Sequence, residues 1–330
     1  MPELRRDPII GRWVIVSTER GKRPSDFDTE ILENDSVLCP FCPGNEQLTP
    51  AEITAYRKPG SLRDKDGWWL RVVPNKFPAL QVEGQLNKTG MGMYDKMNGI
   101  GAHEVIIETP DHHKNIDQLD DKNVEDIIWI CRDRIIDLKK DPRFAYILIF
   151  KNSGRLAGAS LTHPHTQLIA TPIVPKQVSE ELNGGKGYYG YKERCVFCDI
   201  IKQEIAQGQR LVCENDDFIA FEPFSSRFPF ETWIIPKKHS SDFEDIQKYE
   251  VVNFSFILKN TLSKINNVLE HPPYNYLLHN SPVRESNLPH FHWHLEIIPK
   301  LTRLAGFEWG TGLYINPTPP EEAAKFLRES

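Results

Sequence analysis

Several absences in this 330-residue chain narrow its function before any motif is considered. No apolar stretch approaches the ~20 residues that a membrane-spanning helix needs, so no passage through a bilayer is expected. The amino end, Met1-Pro2-Glu3-Leu4-Arg5-Arg6, has none of the apolar core of a secretory signal, and the protein is expected in the cytoplasm. Positive charge is not in excess. With 40 Lys and Arg against 46 Asp and Glu, the formal charge of -6 offers no global basic field for a polynucleotide backbone. Neither a nucleic acid nor a membrane is expected as a partner.

Cysteine is sparse, and its placement is informative. In a reducing compartment the six cysteines point to thiolates and metals before disulfides. Four of them form Cys39-Pro40-Phe41-Cys42 and Cys195-Val196-Phe197-Cys198, a spacing that lets both sulfurs of a turn reach one zinc ion. Neither pair has an HxxxH nearby, so any histidine ligands must come from distant segments. Cys131, on a helical pattern, and Cys213, in a short apolar run, read as buried thiols.

Read forward from each pair, the same order of elements occurs twice. A strand His103-Glu104-Val105-Ile106-Ile107-Glu108 and then His112-His113 in the first half answer Thr232-Trp233-Ile234-Ile235 and then His239 in the second. Helices follow at three-four spacing, through Val124, Ile127, Ile128, Cys131, Ile135 and Leu138, and through Val251, Phe254, Leu258, Leu262, Ile265 and Leu269. A strand closing on Asn-Ser comes next in each half, and then a strand with HxH: His163-Pro164-His165 and His292-Trp293-His294. At 330 residues the chain can hold two domains. We place an N-terminal half at 1–180 and a C-terminal half at 190–330. The repeat supplies two four-ligand zinc sites, Cys39, Cys42, His112 and His163, then Cys195, Cys198, His239 and His292. Such closed sites are structural. His113 is an alternative to His112.

The run His163-Pro164-His165-Thr166-Gln167 reads as a strand. His163, His165 and Gln167 would share one face and meet one ligand together. A neutral imidazole is a competent nucleophile at neutral pH, and a hydrogen bond to one ring nitrogen presents the other.

These motifs, taken in order with Arg20-Gly21-Lys22-Arg23-Pro24, Pro74-Asn75, Asn152-Ser153-Gly154 and Gly158-Ala159-Ser160, resemble the galactose-1-phosphate uridylyltransferase family, a transferase branch of the histidine-triad superfamily. The resemblance implies an α+β fold of two similar halves, each an antiparallel sheet with a long helix, and a homodimer. It implies that His165 attacks the α-phosphorus of UDP-glucose, releases glucose 1-phosphate, and passes UMP to galactose 1-phosphate by a ping-pong route. Gln167 would bind phosphoryl oxygens without serving as a base, because an amide cannot shuttle a proton. Arg20 and Arg23 would face the phosphates, Asn75 and Asn152 the uridine, Phe41 the base, and Gly158 and Ser160 the diphosphate.

Two departures from the family pattern leave alternatives open. Well-known members hold a second metal, which could be iron or zinc, with a carboxylate and three histidines, matched here by Glu181, His279, His292 and His294. That set competes with the second cysteine set for His292. We favour the cysteines, whose presence resembles a plant relative acting as an ADP-glucose phosphorylase. The tail Gly306 to Pro317 offers Glu308 and Asn316 where the family carries a lysine and a later glutamine, and reads as a glycine-rich anion loop around Thr311. An adenylyl transferase, a non-catalytic zinc-ordered nucleotide-binding protein and a hydrolase are the rival readings.

Overall fold

The computed structural model describes residues 2–17 and 38–330. Near the amino end β1 (Glu3–Arg6) and β2 (Trp13–Val16) form a hairpin. The first half then runs through β3 (Thr54–Arg57), β4 (Trp68–Pro74), a small exposed hairpin of β5 (Thr89–Met91) and β6 (Tyr94–Lys96), β7 (Ala102–Ile107), helix α1 (Asp121–Leu138), β8 (Tyr146–Ser153) and β9 (His165–Thr171). Helices α2 (Lys176–Lys192) and α3 (Val196–Gln207) lead into β10 (Leu211–Glu214), β11 (Phe218–Phe221), β12 (Thr232–Pro236), α4 (Lys248–Leu269), β13 (Tyr274–His279) and β14 (His294–Pro299). A short α5 (Gly306–Thr311), β15 (Tyr314–Asn316) and α6 (Pro320–Arg328) close the chain.

The α+β class with two similar halves is as expected, but the halves share one sheet. Ten strands run in the order β10-β11-β12-β14-β13-β8-β9-β7-β4-β3, each antiparallel to its neighbours. The seam is β8 against β13, where Phe150 lies opposite Leu277. Phe150 also faces Gln167, and Leu277 faces Glu296, each two residues beyond the second histidine of its HxH. The two residues are therefore equivalent, and the local two-fold axis passes between them. This register corrects the sequence comparison by one residue. Matching Asn152-Ser153 to Asn280-Ser281 makes Lys151 the counterpart of His279, whereas the ladder puts Asn152 there.

Strand alternation gives the sheet two different faces. On one, Val72, Ile106, Leu168, Leu278 and Leu295 pack under the apolar stripes of α1 and α4 in a core common to both halves. Buried on that side is an ion pair, Lys151 with Glu108, 1% and 0% exposed. The Thr166 hydroxyl donates to the same carboxylate at 2.6 Å. The opposite face carries Val73, Val105, Ile107, His165 and Gln167. There α2 lies so close to the turn after β1 that a Cβ on Gly184 would overlap the Ile9 carbonyl oxygen. Strand β15 pairs parallel with β2, tying the amino end to the second half.

Candidate active site

Strand β9 begins at His165 because Pro164 has no amide hydrogen to give a ladder. His163 therefore precedes the strand and does not share its face with His165 and Gln167 toward one ligand, as the alternation had suggested. It turns toward the cysteines, with Nδ1 3.6 Å from the sulfurs of both Cys39 and Cys42. His165 and Gln167 do share a face, and together with Phe41, Asn75, Ser160, Val73 and Val105 they line a cavity of about 490 Å³. That size suits a nucleotide-sized ligand.

The backbone decides which nitrogen of His165 is available. Its Nδ1–H donates to the His163 carbonyl at 2.8 Å, leaving the Nε2 lone pair as the reactive position. Burial, with Lys151 nearby, lowers the pKa of His165, so the ring stays neutral at physiological pH. Phe41 packs edge-on against His165 at 5.3 Å between centroids. Gln167 Oε1 lies 2.9 Å from Nε2 of His103, a neighbour the motif reading had treated only as the start of a strand.

Other expected residues fall elsewhere. Asn152, at the end of β8, accepts a hydrogen bond from Asn275 at 2.8 Å, and Gly158 sits beside it with φ +91°, a backbone suited to glycine. Neither forms a wall of the cavity. Thr311 is not on a loop: it ends α5, where its hydroxyl donates to the Phe307 carbonyl at 2.7 Å. Asn316 is fully buried and donates to the Ser226 and Phe228 carbonyls, which makes it structural. Arg20 and Arg23 lie outside the described residues.

Both cysteine pairs meet their histidines. In each set of four, Cys39, Cys42, His112, His163 and Cys195, Cys198, His239, His292, the donor atoms lie within 4.8 Å of one another. His113 is excluded from the first set and exposed. The chemistry fits a metal ion. His163, His239 and His292 pass Nε2–H to the carbonyls of Thr109 at 2.8 Å, Leu288 at 3.1 Å and Pro236 at 2.9 Å, and His112 Nε2 lies 3.0 Å from the Thr162 hydroxyl. Their Nδ1 lone pairs are thereby turned toward the sulfurs, the arrangement that metal-binding imidazoles adopt.

The competing set divides. His292 sits with the cysteines, its Nδ1 3.8 Å from Cys198, while Glu181, His279 and His294 gather separately. His279 lies between two carboxylates, Nδ1 3.1 Å from Glu181 and Nε2 3.1 Å from Glu296, so that with both ring nitrogens donating it bridges the two. Although burial pulls the other way, these carboxylates push its pKa up to about 10. His294, the counterpart of His165, binds its own Nδ1–H to the His292 carbonyl in the same manner, but is walled in between Trp233 and His279 at 4.6 and 4.3 Å. Of these two counterpart imidazoles, it is His165 that lines the 490 Å³ cavity.

Family models for the N-terminal and C-terminal domains of galactose-1-phosphate uridyl transferase match residues 1–175 and 181–313. The chain belongs to the galactose-1-phosphate uridylyltransferase family. Within it, the chain is 40% identical over 336 residues to an ADP-glucose phosphorylase of Arabidopsis thaliana, covering 99% of this chain and 93% of that one. It is 33% identical to a galactose-1-phosphate uridylyltransferase of Thermotoga maritima, covering 100% and 99%. A crystal structure of an Arabidopsis thaliana ADP-glucose phosphorylase with bound ADP-glucose is 39% identical and superimposes with a TM-score of 0.85, covering 100% and 99% of the two chains. Membership of this family makes the protein a nucleotidyltransferase-type enzyme.

Proposed function

We propose that the chain transfers a nucleoside monophosphate from a nucleoside diphosphate glucose to an anionic acceptor through a covalent bond to His165. The Nε2 lone pair attacks the α-phosphorus, and the bond to the glucose 1-phosphate oxygen breaks with its electron pair leaving on that group. An acceptor oxygen then attacks the same phosphorus and displaces the imidazole. The observation that carries this reading is the His165 Nδ1–H bond to the His163 carbonyl beside a cavity that the same ring lines. The bond sets the nucleophilic nitrogen before substrate arrives, and holds the positive charge that the ring acquires in the intermediate. Gln167 cannot activate water, which favours transfer over hydrolysis. Zinc ions on the two Cys2His2 sets would hold the turn bearing Phe41 and the start of α3 bearing Phe197, without entering the chemistry.

For the donor, ADP-glucose with inorganic phosphate as acceptor is the reading we favour, given the 40% identity to the Arabidopsis phosphorylase. The use of Asn316 as a structural residue, where uridylyltransferases carry a glutamine for the hexose, agrees with it. UDP-glucose with galactose 1-phosphate is the second reading, supported by the family models and the Thermotoga relative. Release of glucose 1-phosphate, followed with each donor and acceptor pair, distinguishes them. Turnover with ADP-glucose and phosphate at least tenfold above the uridylyl pair is expected. The reverse order selects the second reading, and no release with either contradicts both.

A further inference from the structure

We propose that His103 is a positioning residue, which orients the Gln167 amide so that its NH2 end faces the phosphoryl oxygens of the bound donor. This inference rests on the reading of His165 above. Strand register makes the two residues diagonal neighbours: His103 faces Ile169 while Gln167 faces Val105, and all of them lie on the cavity side. The remaining question is which atom donates.

The answer comes from a backbone amide, which can neither flip nor accept. The N–H of Ala79 donates to Nδ1 of His103 at 3.2 Å. Nδ1 must therefore present its lone pair, and the ring hydrogen sits on Nε2. That Nε2–H donates to Gln167 Oε1 at 2.9 Å. The Gln167 NH2 group has no partner among the described residues and is the end left for the cavity. A reversed amide would leave Nε2–H, already 3.1 Å from the Asn75 Nδ2, between two amide donors with no acceptor, a costly arrangement for a half-buried polar group. Asn75 completes the device. Its carbonyl oxygen is held by the N–H of Phe77 at 2.9 Å, so its Nδ2, 3.1 Å from the already protonated His103 Nε2, keeps its hydrogens for the cavity it lines. Phosphate oxygens only accept, and two amide donors are what they require. The segment Asn75 to Ala79 thus sets the Gln167 donor through one imidazole.

The test measures single-turnover release of glucose 1-phosphate by the zinc-loaded full chain, with whichever of ADP-glucose and UDP-glucose the parent accepts. His103→Phe keeps the ring volume and loses the donor; the rate should fall about tenfold with KM changed less than about twofold, the size of one hydrogen bond to an amide. His103→Gln, which places an NH2 near the Nε2 position, should recover most of that loss. In the Gln167→Ala background, His103→Phe should have no further effect. Additive losses in the double variant, or a parental rate in His103→Phe, would overturn the proposal. A second readout needs no turnover: nitrogen-15 spectra of labelled histidine should show His103 in the Nε2–H form, and the Nδ1–H form would overturn the proposal. If the parent forms no glucose 1-phosphate from either donor, the functional reading fails, while the spectra still decide the orientation of the amide.

Discussion

At the residue scale, the proposed chemistry rests on one ring whose tautomer a backbone carbonyl sets. Burial lowers the His165 pKa against the opposing pull of the Nδ1–H bond to the His163 carbonyl, so the proposed nucleophile stays neutral below the usual imidazole range. The sign follows: the active form is the deprotonated one, so a lowered pKa extends activity toward acid. The acid limb of kcat/KM should fall below pH ~6.5, and a limb at 7 or above would contradict the assignment. The second HxH has the same carbonyl device, yet His294 is closed off by Trp233 and His279. The meeting of Cys39 and Cys42 with His112 and His163 was legible in sequence, because the cysteine pair has fixed spacing and the repeat brings the histidines to it. His103 was not, since its role depends on Ala79, 24 residues away, and on strand pairing that no local pattern reveals.

At the element scale, each Cys-x-x-Cys segment buries apolar side chains, Phe41 in the first and Val196 and Phe197 at the start of α3 in the second, and a metal on its ligand set would add to that order. Cys39→Ser and Cys198→Ser should each lower bound zinc from two ions per chain to about one, and should lower the melting temperature. Unchanged metal content, measured by plasma emission, would reject the site concerned. Helix α2 depends instead on close approach: Gly184→Ala would drive a methyl into the Ile9 carbonyl. We expect a loss of roughly 1–3 kcal/mol by chemical denaturation. A loss below about 0.5 kcal/mol would mean that the turn after β1 moves freely. Helices α1 and α4 were legible from three-four spacing, and β13 ran as expected from Tyr274 to His279. The amino-terminal strands and β15 were not, because four- and three-residue strands leave no periodicity to count.

At the scale of the whole molecule, the repeat predicted two halves, while the core that they share and the seam between β8 and β13 appear only in three dimensions. The ladder there, and not the Asn-Ser match, sets which residues correspond. The second half carries a buried charge network: Glu181, His279, Glu296 and Arg227 are linked in series. His279→Gln leaves two carboxylates facing each other and should cost about 3–5 kcal/mol of stability. A neutral result would deny the imidazolium. The pH dependence has two signs. His279, raised to about 10, contributes stability that is complete below ~6.5 and lost as pH rises through 10. His294, lowered to about 4 by burial, loses its contribution as pH falls from ~6.5 toward 4. Urea titrations should therefore find maximal stability near neutrality; a maximum at pH 4 or 10 would contradict the network. The central claim, a covalent nucleotidyl-His165, is tested most directly by the mass of the intact chain after mixing with ADP-glucose, or with UDP-glucose, in the absence of acceptor. The account predicts a gain of one nucleoside monophosphate that maps to His165 and is absent in His165→Ala with zinc retained. An unchanged mass with both donors, or the same gain in His165→Ala, would contradict it.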